Sequence, residues 1–468
     1  MAENKLLSLI RDGGEISLRK QIWLTLQLSA PAIMAQLSVI VMQYIDAAMV
    51  GRLGAAPAAS IGLMSTTTWL FNGLCSAAAM GFSVQVAHLV GAKEYASARG
   101  VLRQSLMAML VFGCLIGGIG AVISPMLPHW LGGNADITGD ASLYFLIYSL
   151  SLPAFQMVLL GGSMLRCSGN MKVPGLLNVV MCVLDVVFNR LLIFESETCT
   201  VMGFDITIPG AGLGVAGAAT GTALAILVTA IPMLIYACFK SSELNLRLDS
   251  GSFIPSRAML RKAVKIAVPM SGEHIVLCGA QILSTVIVAP LGTIAIAANS
   301  FAIVAESLCY MPGYGIADAA TTLVGQSVGA GRKDLALRLA NIAVGLGMVV
   351  MTAMGVVMYL AAPVMIGVMT PDAEITLLGT EILRIEAFAE PMFAASIVAY
   401  GAFVGTGDTL VPSAMNFVSI WAVRLTLAAV LAPHYGLVGV WIAMCVELCF
   451  RGVIFLVRLR SKRWLSSK

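Results

Sequence analysis

Seven carboxylic acids stand well inside long apolar runs of this sequence: Asp46, Asp185, Glu273, Glu306, Glu386, Glu390 and Glu447. Asp318 and Glu381 lie nearer the ends of such runs. A charge at the bilayer centre costs about 2.5–3.5 kcal/mol on insertion scales, so an acid kept there needs a partner or a task. Asp185 has the clearest pattern. Asn178 lies seven residues before it and Asn189 four after, which places all three on one narrow helical face among Val179, Val180, Leu184 and Val187. A carboxylate with amide oxygens is a hard ligand set suited to a small cation such as Na⁺. The same stripe suits a proton on a desolvated carboxyl, and interhelical hydrogen bonding is the plain structural alternative. Asp46 follows Gln36 and Gln43, which share a helical face one turn earlier. Its run contains Pro31, which removes a backbone bond and marks a candidate hinge. Capping of the outer helix end is the alternative role for Asp46.

The second half of the chain offers Glu273, Glu306 and Glu390 as a further coupling site or as substrate contacts. Glu273 follows Pro269 by four residues and shares a face with Ser284; Glu306 follows Asn299 by seven; Glu390 precedes Pro391. An ion pair, or a cap at a proline break, is the competing role for each. Arg424 is expected to neutralise one second-half glutamate. Glu447 with Arg451, and Glu381 with Arg384, have the i, i+4 and i, i+3 spacing of self-paired charges. Methionines such as Met34, Met42, Met64, Met80, Met157 and Met164 could furnish an adaptable apolar wall, although packing accounts for most of them.

These residues need helices that cross a membrane to hold them. The 468 residues are 59% hydrophobic and 11% charged, with mean hydropathy +0.92. A soluble domain carries about 25% charged residues. Apolar runs of the length needed to cross about 30 Å of hydrocarbon recur along the chain. The reading is an all-α polytopic protein with twelve transmembrane helices, spans 10 to 12 falling at 378–405, 411–432 and 437–459. Lysines and arginines gather on one side of the spans, as in Lys93–Arg103, Lys240–Lys265 and Arg458–Lys468. The opposite loops hold acids, including Asp136, Asp140, Glu195, Glu197, Asp205, Asp372 and Glu374. By the positive-inside rule both termini are expected in the cytoplasm of a cell with the protein in its inner membrane. Met1 to Lys20 is polar with no cleavable signal pattern, so the first apolar run is expected to be a retained helix.

A shift of 238 residues superposes the halves: Pro31 on Pro269, Gly54 on Gly292, Gly91 on Gly329, Pro153 on Pro391, Gly169 on Gly407 and Asn178 on Asn416. The expected organisation is a segment 1–21, a first lobe 22–240, a polar linker 241–262, a second lobe 263–460 and a tail 461–468. An even number of spans per lobe relates the two by a pseudo-two-fold axis along the membrane normal, with the substrate path between them.

The stretch from Pro31 through Asp46 to Val50-Gly51-Arg52-Leu53-Gly54 resembles the first helix of the multidrug and toxic compound extrusion (MATE) family, with an acid before a Val-Gly-x-Leu-Gly turn. Thr322-Leu323-Val324-Gly325-Gln326-Ser327-Val328-Gly329-Ala330-Gly331 resembles its glycine-rich end of helix 8. Gly405-Thr406-Gly407-Asp408-Thr409 before Pro412 is similar to its connection between helices 10 and 11. The resemblance implies a secondary antiporter that expels amphipathic, often cationic compounds against inward Na⁺ or H⁺ flow, with Asp46 at the family's first-helix acid. The family usually has an amide one turn before the Asp185 position, where this chain has Met181. Some branches carry a helix-7 acid about one turn after Glu273, and many place a helix-10 acid one turn after Glu390.

Other classes fit poorly. No Walker-type loop, HExxH motif or pair of histidines on one helix occurs, so neither ATP hydrolysis nor intramembrane enzymology is expected. The net charge of +4 has no basic domain behind it, which argues against nucleic acid as a partner. Ten cysteines without CxxC spacing and four scattered histidines suggest neither disulfide scaffold nor metal centre. The expected partners are small amphipathic substrates and the bilayer, with no cofactor beyond the coupling ion and function as a monomer. A flippase for a lipid-linked saccharide of related fold is the alternative; it would favour a cavity rich in basic residues.

Overall fold

The computed structural model describes residues 5–201 and 204–465, so residues 1–4 and 466–468 of the expected end segments lie outside the described residues. After a short helix α1 (Lys5–Arg11), long helices follow the apolar runs: α2 (Leu18–Gly51), α3 (Ala55–Gly91), α4 (Tyr95–Ile123), the one-turn α5 (Leu127–Trp130), α6 (Ala135–Ser168), α7 (Lys172–Ile193) and α8 (Gly214–Ile235). Between α7 and α8 an antiparallel hairpin, β1 (Glu195–Val201) and β2 (Phe204–Ala211), stands where only a loop was expected. The second half comprises α9 (Arg257–Val288), α10 (Thr293–Gly329), α11 (Lys333–Gly367), α12 (Ala373–Glu386), α13 (Glu390–Thr406), α14 (Leu410–Val418) and α15 (Thr426–Ser461).

Twelve crossings result among the described residues. Helices α12 and α13 form one span broken at 387–389 with a 58° bend, ahead of Pro391, whose ring cannot continue an incoming helix. The helical stretch 410–461 is two spans, because Gly436 (φ 57°, ψ −139°) takes a conformation closed to residues with a side chain. Gly169 and Gly407, 238 residues apart, end α6 and α13 with the same left-handed turn (φ 102° and 82°). Helix α9 starts at Arg257, inside the expected linker, and α2 at Leu18, because charged residues extend both helices past the hydrocarbon. Helix α2 runs unbroken through Pro31, so the expected hinge is not expressed as a break in this conformation.

Two departures from α-helix matter for the repeat. Residues Tyr236–Lys240 and Ser419–Leu425 are π-helical. A π turn absorbs one extra residue without breaking the helix. The second π segment therefore moves the register of the halves from 238 to 239, and Arg424 becomes the counterpart of Asp185.

The halves meet as a two-fold relation demands: α2 packs on α10, and α3 on α9. The closest approach lies on the face that carries α1, the linker and the C-terminal end, here the terminal face. A Cβ added to Gly91 would lie 2.1 Å from Gln326 O, and one added to Gly329 would lie 2.0 Å from His88 O. Gly91 and Gly329 are 238 residues apart, as are His88 and Gln326, so the two contacts are one contact made twice. His88 Nε2 also lies 2.7 Å from Gly405 O across the same seam.

Gly91→Ala is expected to force the backbones apart, at about 1–3 kcal/mol for an overpacked site. Gly100, with nothing within 4 Å of its missing Cβ, is the control. Thermal unfolding in detergent should show a lower midpoint for Gly91→Ala, by about 2 °C or more, and none for Gly100→Ala.

Candidate functional site

A cavity of about 700 Å³ lies between the halves, in the range of small-molecule sites. The first half contributes Gln36, Asn72, Tyr144, Asn178, Asp185 and Thr222 to its wall, and the second half Glu273, His274, Asn299, Glu306, Arg424 and Trp441. Arg166 and Asp318, one from each half, complete the wall toward the terminal face, 3.7 Å apart. Aromatic rings (Trp69, Tyr148, Phe155, Tyr310, Phe393) and Met42, Met80, Met270 and Met444 supply apolar surface. Met64, Met157 and Met164 are instead core residues, and Met34 faces outward.

In the first lobe α2 and α7 bring Asp46, Asp185 and Asn189 together. The Asn189 amide donates through Nδ2 to Asp46 Oδ1 at 2.9 Å and to Asp185 Oδ2 at 3.1 Å, so one side chain clamps both acids. Asp185 and Asn189 are fully buried, yet Asp185 Oδ1 and Asn189 Oδ1 have no hydrogen-bond partner among the described residues. A buried oxygen without a donor is a place for a proton or a cation. Asn178 does not join this group: it lines the cavity two helical turns nearer the terminal face, and no hydrogen bond ties it to Asp185. Met181 is buried against the cavity, where an amide would otherwise stand.

The residue that makes room for Asn189 was not foreseen. A Cβ on Gly221 of α8 would lie 2.1 Å from Asn189 Oδ1, and one on Gly217 would lie 2.4 Å from Leu192 O. The signal in the sequence is the Gly217-x-x-x-Gly221 spacing, which lets α8 approach α7 closely.

In the second lobe Glu273 is held by the Ser413 hydroxyl at 2.8 Å and the Asn416 amide at 2.6 Å, the latter being the repeat counterpart of Asn178. Asn299 accepts from the Trp441 indole at 2.9 Å and does not bond Glu306, whose buried carboxyl edges the cavity. Arg424 does neutralise a glutamate, and it is Glu447: Arg424 Nη2 donates at 2.7 Å and Arg451 Nη2 at 3.0 Å, with the Ser419 hydroxyl at 2.6 Å. The Glu447–Arg451 pair is thus present as part of a triad. The Glu381–Arg384 pair is not formed, because Arg384 turns to Tyr359, donating to its carbonyl at 3.2 Å and stacking over its ring.

Both nearby arginines are consumed by Glu447. Glu390 and Glu386, at the ends of the break between α12 and α13, are fully buried, and none of their four carboxyl oxygens has a partner among the described residues. Glu386 counted among the seven buried acids but was not singled out; its i, i+4 spacing to Glu390 was the available signal.

A two-lobed helical membrane protein with a central cavity and unpartnered buried carboxyls has the build of a transporter. The comparisons agree. The MatE family profile matches residues 31–191 and again 269–430. The starts differ by 238 and the ends by 239, as the π segment requires. A relative from Thermotoga maritima, described as a probable multidrug resistance protein NorM, is 26% identical over 441 residues, covering 94% of this chain and 92% of its own. A crystal structure of a MATE protein in complex with MaL6 superposes with TM-score 0.87 at 19% identity, covering 98% of this chain and 100% of that one. A multidrug resistance MATE family transporter of the MOP superfamily in an outward-facing conformation superposes at 0.86 and 20% identity, covering 99% and 100%. The chain belongs to the MATE family. It is a multi-pass membrane transporter and not an enzyme.

Glu447→Gln should leave two arginines uncompensated inside the membrane, at about 3–5 kcal/mol for a buried pair broken on one side. The expected outcome is a sharp fall in folded protein recovered in detergent, read by size-exclusion chromatography. Glu381→Gln, exposed and unpaired with Arg384, should change nothing.

Proposed function

We propose that this protein is a secondary active antiporter that exports amphipathic, cationic compounds in exchange for H⁺ or Na⁺. The observation that carries the reading is the Asp46–Asn189–Asp185 clamp: two acids, a shared amide and two unpartnered oxygens, with Asp185 on the cavity wall. The cavity walls provide apolar and aromatic area for the body of a substrate. Asp185, Glu273 and Glu306 provide negative charge for its cationic group, and they outweigh the single positive charge left when Arg424 and Arg451 share Glu447, Arg166 being paired with Asp318. That sign of charge supports drug export over the carriage of a lipid-linked anionic saccharide.

An ion held between Asp46 and Asp185 cancels the charge that attracts the substrate. Bound ion and bound substrate therefore disfavour each other, and linkage makes the two effects equal. A coupling of roughly 1–3 kcal/mol corresponds to about 5–150-fold weaker drug binding at saturating ion. Repacking of α2 about Pro31, whose carbonyl lies against Gly175 of α7, is the motion that would shrink the first-lobe cavity. Glu306, Glu386 and Glu390 form a second set of carboxyls able to hold protons or a substrate's positive charge. The basic terminal face supports cytoplasmic termini and an inner-membrane location, and the complete cavity within one chain supports action as a monomer.

The test is efflux of a fluorescent cation from proteoliposomes under separately imposed Na⁺ and proton gradients. Asp46→Asn and Asp185→Asn, at equal membrane abundance, should each abolish coupled export, and wild-type export by both would overturn the first-lobe site. Gly221→Ala should reproduce the loss without removing a charge, because it displaces Asn189. For proton coupling, equilibrium binding of the cation in detergent should strengthen as pH rises, since the competing proton leaves. For sodium coupling, added Na⁺ should weaken it. Affinity unchanged across both titrations defeats the exchange mechanism.

A further inference from the structure

The short helix α1 was read from the sequence only as part of a polar leading segment, yet its Arg11 is among the most buried arginines in the structure (7% exposed). Its guanidinium joins three parts of the molecule. Nη2 donates to Ser168 O at the end of α6 in the first lobe, at 2.9 Å. Nε donates to Gln326 Oε1 of α10 in the second lobe at 3.3 Å. Nη1 pairs with Glu243 of the linker at 3.2 Å. Gln326 in turn donates through Nε2 to Cys167 O at 2.8 Å, so the side chain that receives Arg11 itself bridges the lobes.

The same end of α1 is also held from the second lobe. Arg332, just past α10, donates to the carbonyls of Leu9 (2.9 Å) and Ile10 (3.3 Å), which are acceptors left open where a helix stops, and to that of Gly14 (2.9 Å) in the turn beyond. From the first lobe Lys93 pairs with Asp12 at 2.5 Å. The apolar side of α1 does the same. Leu7 and Ile10 are buried with Leu24, Leu28 and Met171 of the first lobe and Ala319, Leu323 and Leu335 of the second.

We propose that α1 is a clasp that holds the terminal face shut, with Arg11 as its pin. It lies across the seam where Gly91 meets Gln326 and Gly329 meets His88. The lobes cannot part on this face while one guanidinium is bonded to both of them and to the linker between them. Opening requires α1 to leave one lobe. Arg332 gives the α1 segment three bonds to the second lobe, against Arg11's bond to Ser168 and the exposed Lys93–Asp12 pair on the first, so α1 leaves with the second lobe and separates from Ser168, Lys93 and the Leu24–Leu28 surface of the first. The clasp rests on the transporter reading, because only a protein that opens this face needs a device that closes it.

The experiment is hydrogen–deuterium exchange of the full chain in nanodiscs, comparing wild type with Arg11→Gln and Arg11→Lys. Arg11→Gln should exchange faster, by about ten-fold or more as befits lost charged hydrogen bonds, in two segments away from α1: 165–170 and 322–332. Arg11→Lys, which keeps the charge and loses the fork, should fall between. Faster exchange confined to residues 5–14, with the seam unchanged, would make α1 a passive appendage and overturn the proposal; so would identical exchange throughout. Should Arg11→Gln prove poorly folded, Arg332→Gln serves as the second variant and should loosen residues 5–14 together with 322–332. Efflux of the fluorescent cation is measured separately. Loss of antiport in wild type with an intact exchange pattern would defeat the proposed function and leave the clasp standing.

Discussion

No charge can stand alone in hydrocarbon, and most of this structure is an answer to that constraint. Five of the seven intramembrane acids show three different answers. Glu447 is surrounded by Arg424, Arg451 and Ser419 and is thereby fixed as structure. Glu273 is wrapped by a hydroxyl and an amide but remains at the cavity wall. Asp185, Glu386 and Glu390 keep oxygens with no donor among the described residues. A buried pair stabilises little by itself and is costly to break. The triad around Glu447 therefore frames the second lobe, while the unpartnered acids take no part in such pairs.

The repeat supplies the second organising element. Two similar halves packed through α2–α10 and α3–α9 create one self-complementary seam, and the glycines at 91 and 329 let it close backbone to backbone. Symmetry of shape does not extend to charge. The π segment at Ser419–Leu425 inserts one residue and sets Arg424 where the first lobe has Asp185. The first lobe thus carries an acid pair at this depth, and the second a guanidinium already spent on Glu447. A protein of two equal lobes acquires two unlike chemical environments in this way, one suited to an ion and the other to fixed charge beside a cluster of free glutamates.

The sequence determined the number and order of the spans, the asymmetry of basic residues, the two-lobed repeat and the presence of acids where acids are expensive. These are properties of composition and period, which survive without knowledge of neighbours. It also put Asp185 and Asn189 on one face, because four residues along a helix fix their relation. It could not show that Asp46, about 140 positions away, shares the Asn189 amide, or that Asn178 stands apart from the group despite its matching phase. It could not show that Arg384 prefers Tyr359 to Glu381, or that Glu386 and Glu390 are left unpaired because Glu447 takes both arginines. Nor could it show that Arg11, in a short segment flanked by polar residues, ends up buried between the lobes. Each of these depends on which helix faces which. That is set by close packing of small residues such as Gly217, Gly221, Gly91 and Gly329 across the interior, and helical phase alone carries no record of a partner on another helix.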